Sequence, residues 1–349
     1  MIEMLKDILD KAAIDGSISQ EEALFLLDKV QTIEALMELA KTASRIRDDA
    51  LGNVFKFDGF IGPITACKID PPCKYCGRSA GIRTDFSEEK TLTIDEIELA
   101  SRLMKDAGIK RVELGGGTLL DGSGQKVIEA VKAVNKVASL NIWINVGPSL
   151  SSDDLAQLKG LGAKEVCSSL ETINPDVFAK MKPGDSLEAR MKLAREINSI
   201  GLGLASVMMV GLGSSNEDYV KHLFWLKEFE NLSHFCITGL NPLHGSQIQG
   251  QNMANSFEVA KVGAVARLVL RTKDISFGGM MNDPRLLPLW IMAGGNRAIH
   301  LGAHLHRAKA WGQPHPGALV ERFGEVEFVN MLPLTTRFVR EMGMEVDII

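Results

Sequence analysis

Short apolar runs alternate with amphipathic helical segments from Val54 to His300. This alternation is typical of βα units, in which parallel strands are joined by crossover helices. The predicted strands are 54–66, 111–114, 141–146, 164–170, 204–210, 235–240, 275–277 and 298–300. Eight strands favour an α/β fold, the complete (βα)8 TIM-type barrel, over a six-stranded partial barrel.

Two extensions flank the predicted barrel. Residues 1–52 have helical periodicity throughout, with Leu5, Ile8 and Leu9 on one face and a capping box over 19–22. We expect this N-terminal helical extension to support the barrel from outside or below. The barrel itself is assigned to 53–302, and a C-terminal extension packed on the barrel to 303–349.

The composition is that of a globular protein with a large core. Of the 349 residues, 45% are hydrophobic and 24% are charged. The net charge of −5 and the pI near 5.9 argue against a general nucleic-acid binder. Residues 1–10 are already charged, and no apolar run approaches the ~18 residues that span a bilayer. We therefore expect no signal peptide, no membrane partner and a cytoplasmic location.

Three of the five cysteines lie close together, because Cys67, Cys73 and Cys76 have the spacing C-x5-C-x2-C. Thiolates this close repel one another unless a cation or a cluster holds them. A structural zinc site needs four ligands, whereas Cys167 and the first histidine, His222, lie far along the chain. Three thiolates fit an iron–sulfur cluster with one iron open to a small molecule. A zinc site and reactive thiols remain as alternatives.

A cysteine triad that ends in C-x-aromatic-C and follows a first strand resembles the radical S-adenosylmethionine (SAM) superfamily. Most members have C-x3-C-x2-C. The longer spacing here resembles the radical SAM protein associated with biosynthesis of the iron-guanylylpyridinol cofactor of iron-only hydrogenase. Later motifs are similar to the wider group of biotin synthase, hydrogenase maturases and methylornithine synthase. The resemblance implies a 4Fe–4S cluster on Cys67, Cys73 and Cys76, with SAM on its open iron.

The resemblance also implies where SAM is held. A glycine turn after the second strand would contact the amino group of its methionine, through Gly115, Gly116 and Gly117. Glu171, at the end of the fourth strand, and Arg190, on the next helix, match the pair that binds SAM in this group. Arg195 is the main rival of Arg190.

Two further segments are expected near the adenine. The end of the fifth strand, with Val210 and Gly211, corresponds to the segment that gives backbone contacts to this base. Tyr75, beside the last cysteine, would cover another face of the base, with simple packing as the alternative.

A substrate cavity is expected at the carboxyl ends of the strands, as in other barrels of this type. Its candidate residues lie at or near predicted strand ends: Asn145, Ser169, Asn241, Met280 and Met281. His300 and His304 are four residues apart, but no carboxylate or cysteine pattern accompanies them, so a second metal site is not favoured. Cys167 and Cys236 stand alone in predicted strands and are interpreted as core residues.

By this resemblance the chain is a radical SAM enzyme that cleaves SAM to a 5′-deoxyadenosyl radical and abstracts hydrogen from a small substrate. The pathway indicated is iron-guanylylpyridinol biosynthesis, in an anaerobic setting and with an electron donor such as ferredoxin or flavodoxin. The alternatives are an amino-acid mutase or lyase of the methylornithine synthase type and a non-catalytic zinc-bearing barrel. The sequence does not identify the substrate.

Overall fold

A closed barrel of eight parallel strands forms the centre of the molecule, in a computed structural model that describes residues 2–14, 16–77, 90–119, 124–278, 283–307 and 314–349. The strands are β1 Val54–Ile61, β2 Arg111–Gly115, β3 Asn141–Asn145, β4 Glu165–Cys167, β5 Gly203–Val210, β6 Leu232–Gly239, β7 Asp274–Phe277 and β8 Arg297–Arg307. Each strand pairs with the next, and β1 pairs with β8, for example Phe57 with Ala298, which closes the ring. The predicted (βα)8 barrel is confirmed.

Helices surround this ring and also precede it. They are α1 Ile2–Ala13, α2 Gln20–Lys29, α3 Ile33–Leu51, α4 Ile94–Asp106, α5 Gly124–Val137, α6 Ser152–Gly160, α7 Pro175–Met181, α8 Leu187–Ile200, α9 Asn216–Lys227, α10 Ser256–Leu270, α11 Leu287–Met292 and α12 Leu332–Glu341. Side-chain capping boxes begin α2 at Ser19, α4 at Thr93 and α9 at Ser215. The helices α2 and α3 pack against α9, α10 and α11, so the N-terminal extension lies on the outer layer of helices.

The eighth strand is much longer than predicted. The sequence predicted 298–300, whereas β8 covers eleven residues, all buried. The predicted strand ended at His300, two residues before Gly302. Here the glycine is needed for close approach: a Cβ at Gly302 would lie 2.8 Å from the carbonyl oxygen of Asp58 on β1.

The C-terminal extension continues the sheet of the barrel. A hairpin of β9 Leu319–Phe323 and β10 Val326–Asn330 pairs antiparallel with the second half of β8. The last strand, β11 Glu345–Asp347, pairs in parallel with the first three residues of β1, whereas the last four residues of β1 pair with β2. The edge of the second half of β8 is therefore paired with β10 of the hairpin.

The amino ends of the strands are closed by a buried ion cluster. Arg297 donates hydrogen bonds to Asp58 at 2.7–3.1 Å and to Glu165 at 3.0 and 3.2 Å. Asp274 lies 3.6 Å from the same guanidinium, and the ring of Trp143 lies above it. This layer of charged side chains occupies the amino end of the barrel. No helix in the described part of the chain is long and apolar enough to cross a membrane.

Candidate active site

A cavity of about 300 Å³ opens at the carboxyl ends of the strands. The residues that line it include the three clustered cysteines, Gly116, Gly117, Glu171 and Arg190. Asn145 and Ser169, predicted to line a substrate cavity, line its wall as well. The site residues predicted from β1 to α8 therefore converge on one space, apart from Gly115.

The loop that follows β1 places Cys67, Cys73 and Cys76 on this cavity, and none of them forms a disulfide. Two backbone hydrogen bonds fix the loop from opposite sides. The amide of Lys68 donates to the carbonyl of Thr118 at 2.8 Å, and that of Lys74 donates to the carbonyl of Met181, at the end of α7, at 3.0 Å. The second contact was not predicted, since α7 was missed.

The glycine turn after β2 packs directly against the cysteine loop. A Cβ at Gly117 would lie 2.3 Å from the backbone nitrogen of Cys67, and one at Gly116 would lie 2.1 Å from Oγ1 of Thr65. The amide of Gly117 donates to the carbonyl of Thr65 at 2.8 Å. These glycines are therefore required by the close approach of two backbones, whatever else they contact.

Burial raises the pKa of the Cys73 thiol to about 12, while nearby Lys182 acts in the opposite direction. A thiol in this environment keeps its proton unless a metal replaces it. In the described residues, no three His, Cys, Asp or Glu side chains converge as ligands of one metal ion. That finding gives no support to a mononuclear zinc site. A cluster does not require convergence on one point, because each thiolate binds a different iron.

Glu171 lies at the centre of a buried polar network beside the cysteines. Its Oε2 accepts a hydrogen bond from the Tyr75 hydroxyl at 2.6 Å and forms an ion pair with Lys182 Nζ at 2.5 Å. Burial, and next the charge of Glu171, raise the pKa of Tyr75 well above its usual value, so its hydroxyl stays a donor. The backbone of Glu171 has φ 64°, a left-handed conformation that is rare for non-glycine residues. Tyr75 is thus held by its hydroxyl in this structure.

Arg190 is buried and faces the same cavity, whereas its rival Arg195 is exposed on α8. The Arg190 guanidinium pairs with Asp185 at 2.6 Å and donates to the carbonyl of Ser169 at 2.9 Å. Burial alone would lower the pKa of Arg190, but Asp185 and then Glu171 outweigh it, and the pKa is raised. Glu171 and Arg190 therefore share one pocket without pairing directly.

The remaining predicted positions lie around this pocket. The cavity lining does not include Gly115, Val210, Gly211 or Asn241. The carbonyl of Val210 accepts from Leu240, and the amide of Gly211 donates to the Tyr219 hydroxyl. Met280 and Met281 lie outside the residues that the structure describes.

Several polar residues of the cavity were not predicted. Lys182 and Asp185, on the turn between α7 and α8, link Glu171 to Arg190. Glu113 and His300 face each other across β2 and β8 at 3.0 Å. Glu113 could have been predicted as a site residue, because it is a single carboxylate within the buried strand 111–114. No local sequence pattern indicates a role for Lys182.

Cys167 and Cys236 are both buried in one apolar cluster, as predicted for core residues. Cys167 is a buried residue, with its Sγ 3.2 Å from the Ser169 hydroxyl, as expected of a core position. Cys236 is buried too, but it lines the cavity. Its place on the inward face of β6, two residues before Thr238 on the same face, explains why a strand residue reaches the site.

Sequence comparisons identify the family. The family model of the radical SAM superfamily matches residues 61–226. An uncharacterized protein of Methanocaldococcus jannaschii is 31% identical over 310 residues, which are 88% of this chain and 82% of the relative. Biotin synthase of Clostridium botulinum strain Hall is 26% identical over 273 residues, which cover 77% of this chain and 83% of that enzyme.

Solved structures agree on the fold. The chain is similar to methylornithine synthase, with a TM-score of 0.81 at 20% identity, over 97% of each chain. It is also similar to the FeFe-hydrogenase maturase HydG of Carboxydothermus hydrogenoformans, with a TM-score of 0.76 at 16% identity, over 99% of this chain and 79% of that one.

The residues present fit the cofactors of such a family. Three cysteines on one loop face a cavity that also contains a buried arginine and glutamate, and the backbone of the glycine turn lies directly against the loop. Thiolates are soft ligands, and iron–sulfur clusters are bound by ligands of this kind. The chain therefore belongs to the radical SAM superfamily, in the group of biotin synthase, and is an enzyme that uses a 4Fe–4S cluster and S-adenosylmethionine.

Proposed function

We propose that this radical SAM enzyme acts on a small precursor in the biosynthesis of the iron-guanylylpyridinol cofactor. The observation that carries the proposal is the C-x5-C-x2-C spacing of Cys67, Cys73 and Cys76 on a loop that lines the cavity. This spacing resembles the variant associated with that pathway. The general radical SAM activity is supported by the whole site and not by this spacing alone.

Cys67, Cys73 and Cys76 would hold the cluster. When bound, the cluster supplies the electron that cleaves SAM to methionine and a 5′-deoxyadenosyl radical. The Lys68 and Lys74 amides fix the loop, and all three thiols line the cavity. Preorganisation of this kind lowers the entropic loss on binding.

The chain's own contribution to SAM binding would come from Glu171 and Arg190. Arg190 can offer its guanidinium fork to a carboxylate, although Asp185 now occupies part of it. Glu171 can accept from an ammonium or ribose hydroxyl, and Tyr75 and Lys182 hold its side chain in place. Gly116 and Gly117 of the glycine turn, which line the cavity, would contribute backbone contacts, whereas Val210 and Gly211 lie outside its lining.

The barrel would also protect a reactive intermediate from water. Ile299, Val207 and Met209 line the cavity with apolar surface, and the ion cluster around Arg297 closes its lower end. Apolar surface that excludes water limits side reactions of such an intermediate. Electrons would arrive from an external donor, for which ferredoxin or flavodoxin is proposed.

Anaerobic reconstitution tests the coarse activity. We expect about four irons and four sulfides per chain, and 5′-deoxyadenosine from SAM after reduction. Cys73→Ala should lose cluster and product together. Cys167→Ala, which also removes a buried thiol, should keep both. Full iron content in Cys73→Ala, or one zinc without sulfide in the parent protein, would contradict the assignment.

Product analysis tests the pathway. Isotope-labelled precursors incubated with the reduced enzyme and SAM should give a labelled pyridinol precursor. A rearranged amino acid among the products would instead support the mutase alternative. Either result would leave the 5′-deoxyadenosine assay unchanged, so the two questions are separate.

A further inference from the structure

The inward face of β6 carries three polar side chains in a column. His234, Cys236 and Thr238 are two residues apart along the strand, and alternate residues of a strand point to the same side of the sheet. All three are buried. Cys236 and Thr238 line the cavity, whereas His234 lies below them, towards the ion cluster at the amino end. The column therefore extends from the cavity to the amino end of the barrel.

The thiol of Cys236 is held in its protonated form. Burial raises the pKa of this thiol to about 12, and a hydrogen bond with the Ser276 side chain acts in the opposite direction. Cys236 and Ser276 are direct partners in the pairing of β6 with β7. A neutral thiol is a poor nucleophile and a poor metal ligand, because both roles require the thiolate. Its S–H bond is weaker than an aliphatic C–H bond, so a carbon radical can take the hydrogen atom.

A row of side chains leads from Cys236 towards the amino end. Nε2 of His234 shares a hydrogen bond with the Ser276 hydroxyl, which also contacts Cys236. Nδ1 of His234 lies 3.6 Å from Oε2 of Glu165, whose side chain is 16% exposed. Hydroxyl and imidazole groups can accept one proton while they release another. The row therefore offers protons a path between solvent and the buried sulfur.

Thr238 indicates that a ligand binds on this side of the cavity. Its Oγ1 is buried and has no hydrogen-bond partner among the described residues. A buried polar atom without a partner is unusual in a folded protein and lowers its stability. Val207 and Met209 of β5 pair with Cys236 and Thr238 and line the cavity beside them with apolar surface. A ligand that supplies the missing bond to Thr238 therefore lies next to Cys236.

From this arrangement we propose that Cys236 gives a hydrogen atom to a carbon radical of the substrate bound beside Thr238, and that Ser276 and His234 return a proton to its sulfur. The S–H bond breaks homolytically, a C–H bond of the product forms, and a thiyl radical remains on Cys236. One electron from an external iron–sulfur or flavin protein, the class of donor already proposed, and one proton from the row restore the thiol. This role of Cys236 rests on the proposed radical chemistry and not on the proposed pathway.

Deuterium in 5′-deoxyadenosine tests the donor step without knowledge of the substrate. The reconstituted enzyme is equilibrated in D2O, which converts the thiol to S–D, and is then given SAM and dithionite without any added thiol. The 5′-deoxyadenosyl radical takes its hydrogen from the protein, and an S–D group adds deuterium, whereas O–D and N–D bonds are too strong to do so. We expect monodeuterated 5′-deoxyadenosine from the parent enzyme. Its fraction should be about tenfold lower in Cys236→Ser, equivalent to about 1.4 kcal/mol in the barrier.

Two substitutions make this comparison specific. Cys236→Ser keeps the size of the side chain and a hydrogen-bonding group beside Ser276, but its O–H bond is too strong to donate the atom. Cys167→Ser removes a thiol that is equally buried but is not among the described residues that line the cavity, so it should keep the deuterium. Equal deuterium in the parent and Cys236→Ser, or a product of the parent without deuterium, would overturn the inference. Absence of any 5′-deoxyadenosine would defeat the proposed radical activity itself.

Infrared spectroscopy of the unreduced protein tests the thiol and its proton path without turnover. The S–H stretching band that is lost in Cys236→Ser should persist in the parent at about pH 9, where an exposed thiol is largely ionised. In D2O this band should change to S–D about tenfold more slowly in Ser276→Ala than in the parent. Ser233→Ala, on the opposite face of β6, should exchange like the parent. An ionised Cys236 at this pH would overturn the donor role, and equal exchange in Ser276→Ala would overturn the role of Ser276.

Discussion

Replacement of Lys182 by methionine tests the polar network beside the cysteine loop. Lys182 is 2% exposed, and its ammonium lies 2.5 Å from Glu171 and 3.3 Å from Asp185. Removal of one partner of a buried ion pair costs about 3–5 kcal/mol, because a charge is left without compensation. In this variant Glu171 would still accept the hydrogen bond of the Tyr75 hydroxyl, and Asp185 would still pair with Arg190. We therefore expect a cost at the lower end of this range, about 3 kcal/mol.

We therefore expect Lys182→Met to lose about 3 kcal/mol of unfolding free energy at pH 7, about a hundredfold in the folded-to-unfolded ratio. Urea titration followed by tryptophan fluorescence measures the loss. Lys180→Met is a matched control, because Lys180 is exposed on α7. It should change stability by about 0.5 kcal/mol or less.

A double variant separates the charge effect from packing. In Lys182→Met with Glu171→Gln, no charge remains uncompensated at this contact, so about 1–2 kcal/mol of the loss should be recovered. Lys182→Met should also weaken SAM binding about tenfold, because Glu171 loses the group that orients it. If Lys182→Met and Lys180→Met unfold at the same urea concentration, the ion pair is not a structural contact and this reasoning fails.

Three further outcomes follow from other parts of the molecule. Arg297→Met should cost about 3–5 kcal/mol in urea titration, because the fully buried Asp58 loses its guanidinium, whereas exposed Arg337→Met should cost little. Burial lowers the pKa of His222 to about 3, so between about pH 6.5 and 3 the unfolded state binds a proton that the folded state does not. In this window the His222 contribution to stability falls with falling pH by about 1.4 kcal/mol per unit. His222→Leu should remove that slope, with a gain relative to the parent of about 2 kcal/mol at pH 5; an unchanged slope would show that the ring is solvated. Ser215→Ala should cost about 1 kcal/mol in thermal unfolding through loss of the α9 cap, and a neutral result would contradict the capping box.

The barrel could be predicted from the sequence because each βα unit is a local pattern. An apolar run followed by an amphipathic helix needs no information from elsewhere in the chain. Capping signals such as Ser19 and Ser215 are local too, and both caps are present. The eighth strand was predicted to end at His300, because its continuation to Arg307 depends on pairing with β1 and β10, which no local pattern indicates.

The candidate site was predictable to the extent that its residues belong to motifs. Cys67, Cys73 and Cys76 are neighbours in sequence, and their common position on the cavity follows from the short loop that contains them. Glu113 and His300 are far apart in sequence, and the closure of β8 on β1 brings them together. Lys182 lies in a turn without periodicity, so its pairing with Glu171 is visible only in three dimensions.

The two ends of the barrel have different physical roles, and the polar groups show why. At the amino ends, Arg297 is surrounded by carboxylates whose hydrogen-bonding partners all come from the chain, so that cluster is complete without a ligand. At the carboxyl ends, Thr238 keeps a buried hydroxyl without a partner in the described structure, and the described non-glycine residues with positive φ are Glu171 and His300, which both line the cavity. Strain and unsatisfied polarity lower stability, and a fold retains them where they are useful. Because both of these left-handed residues lie at the carboxyl ends, we infer that this end is adapted to bind ligands while the ion cluster maintains the barrel.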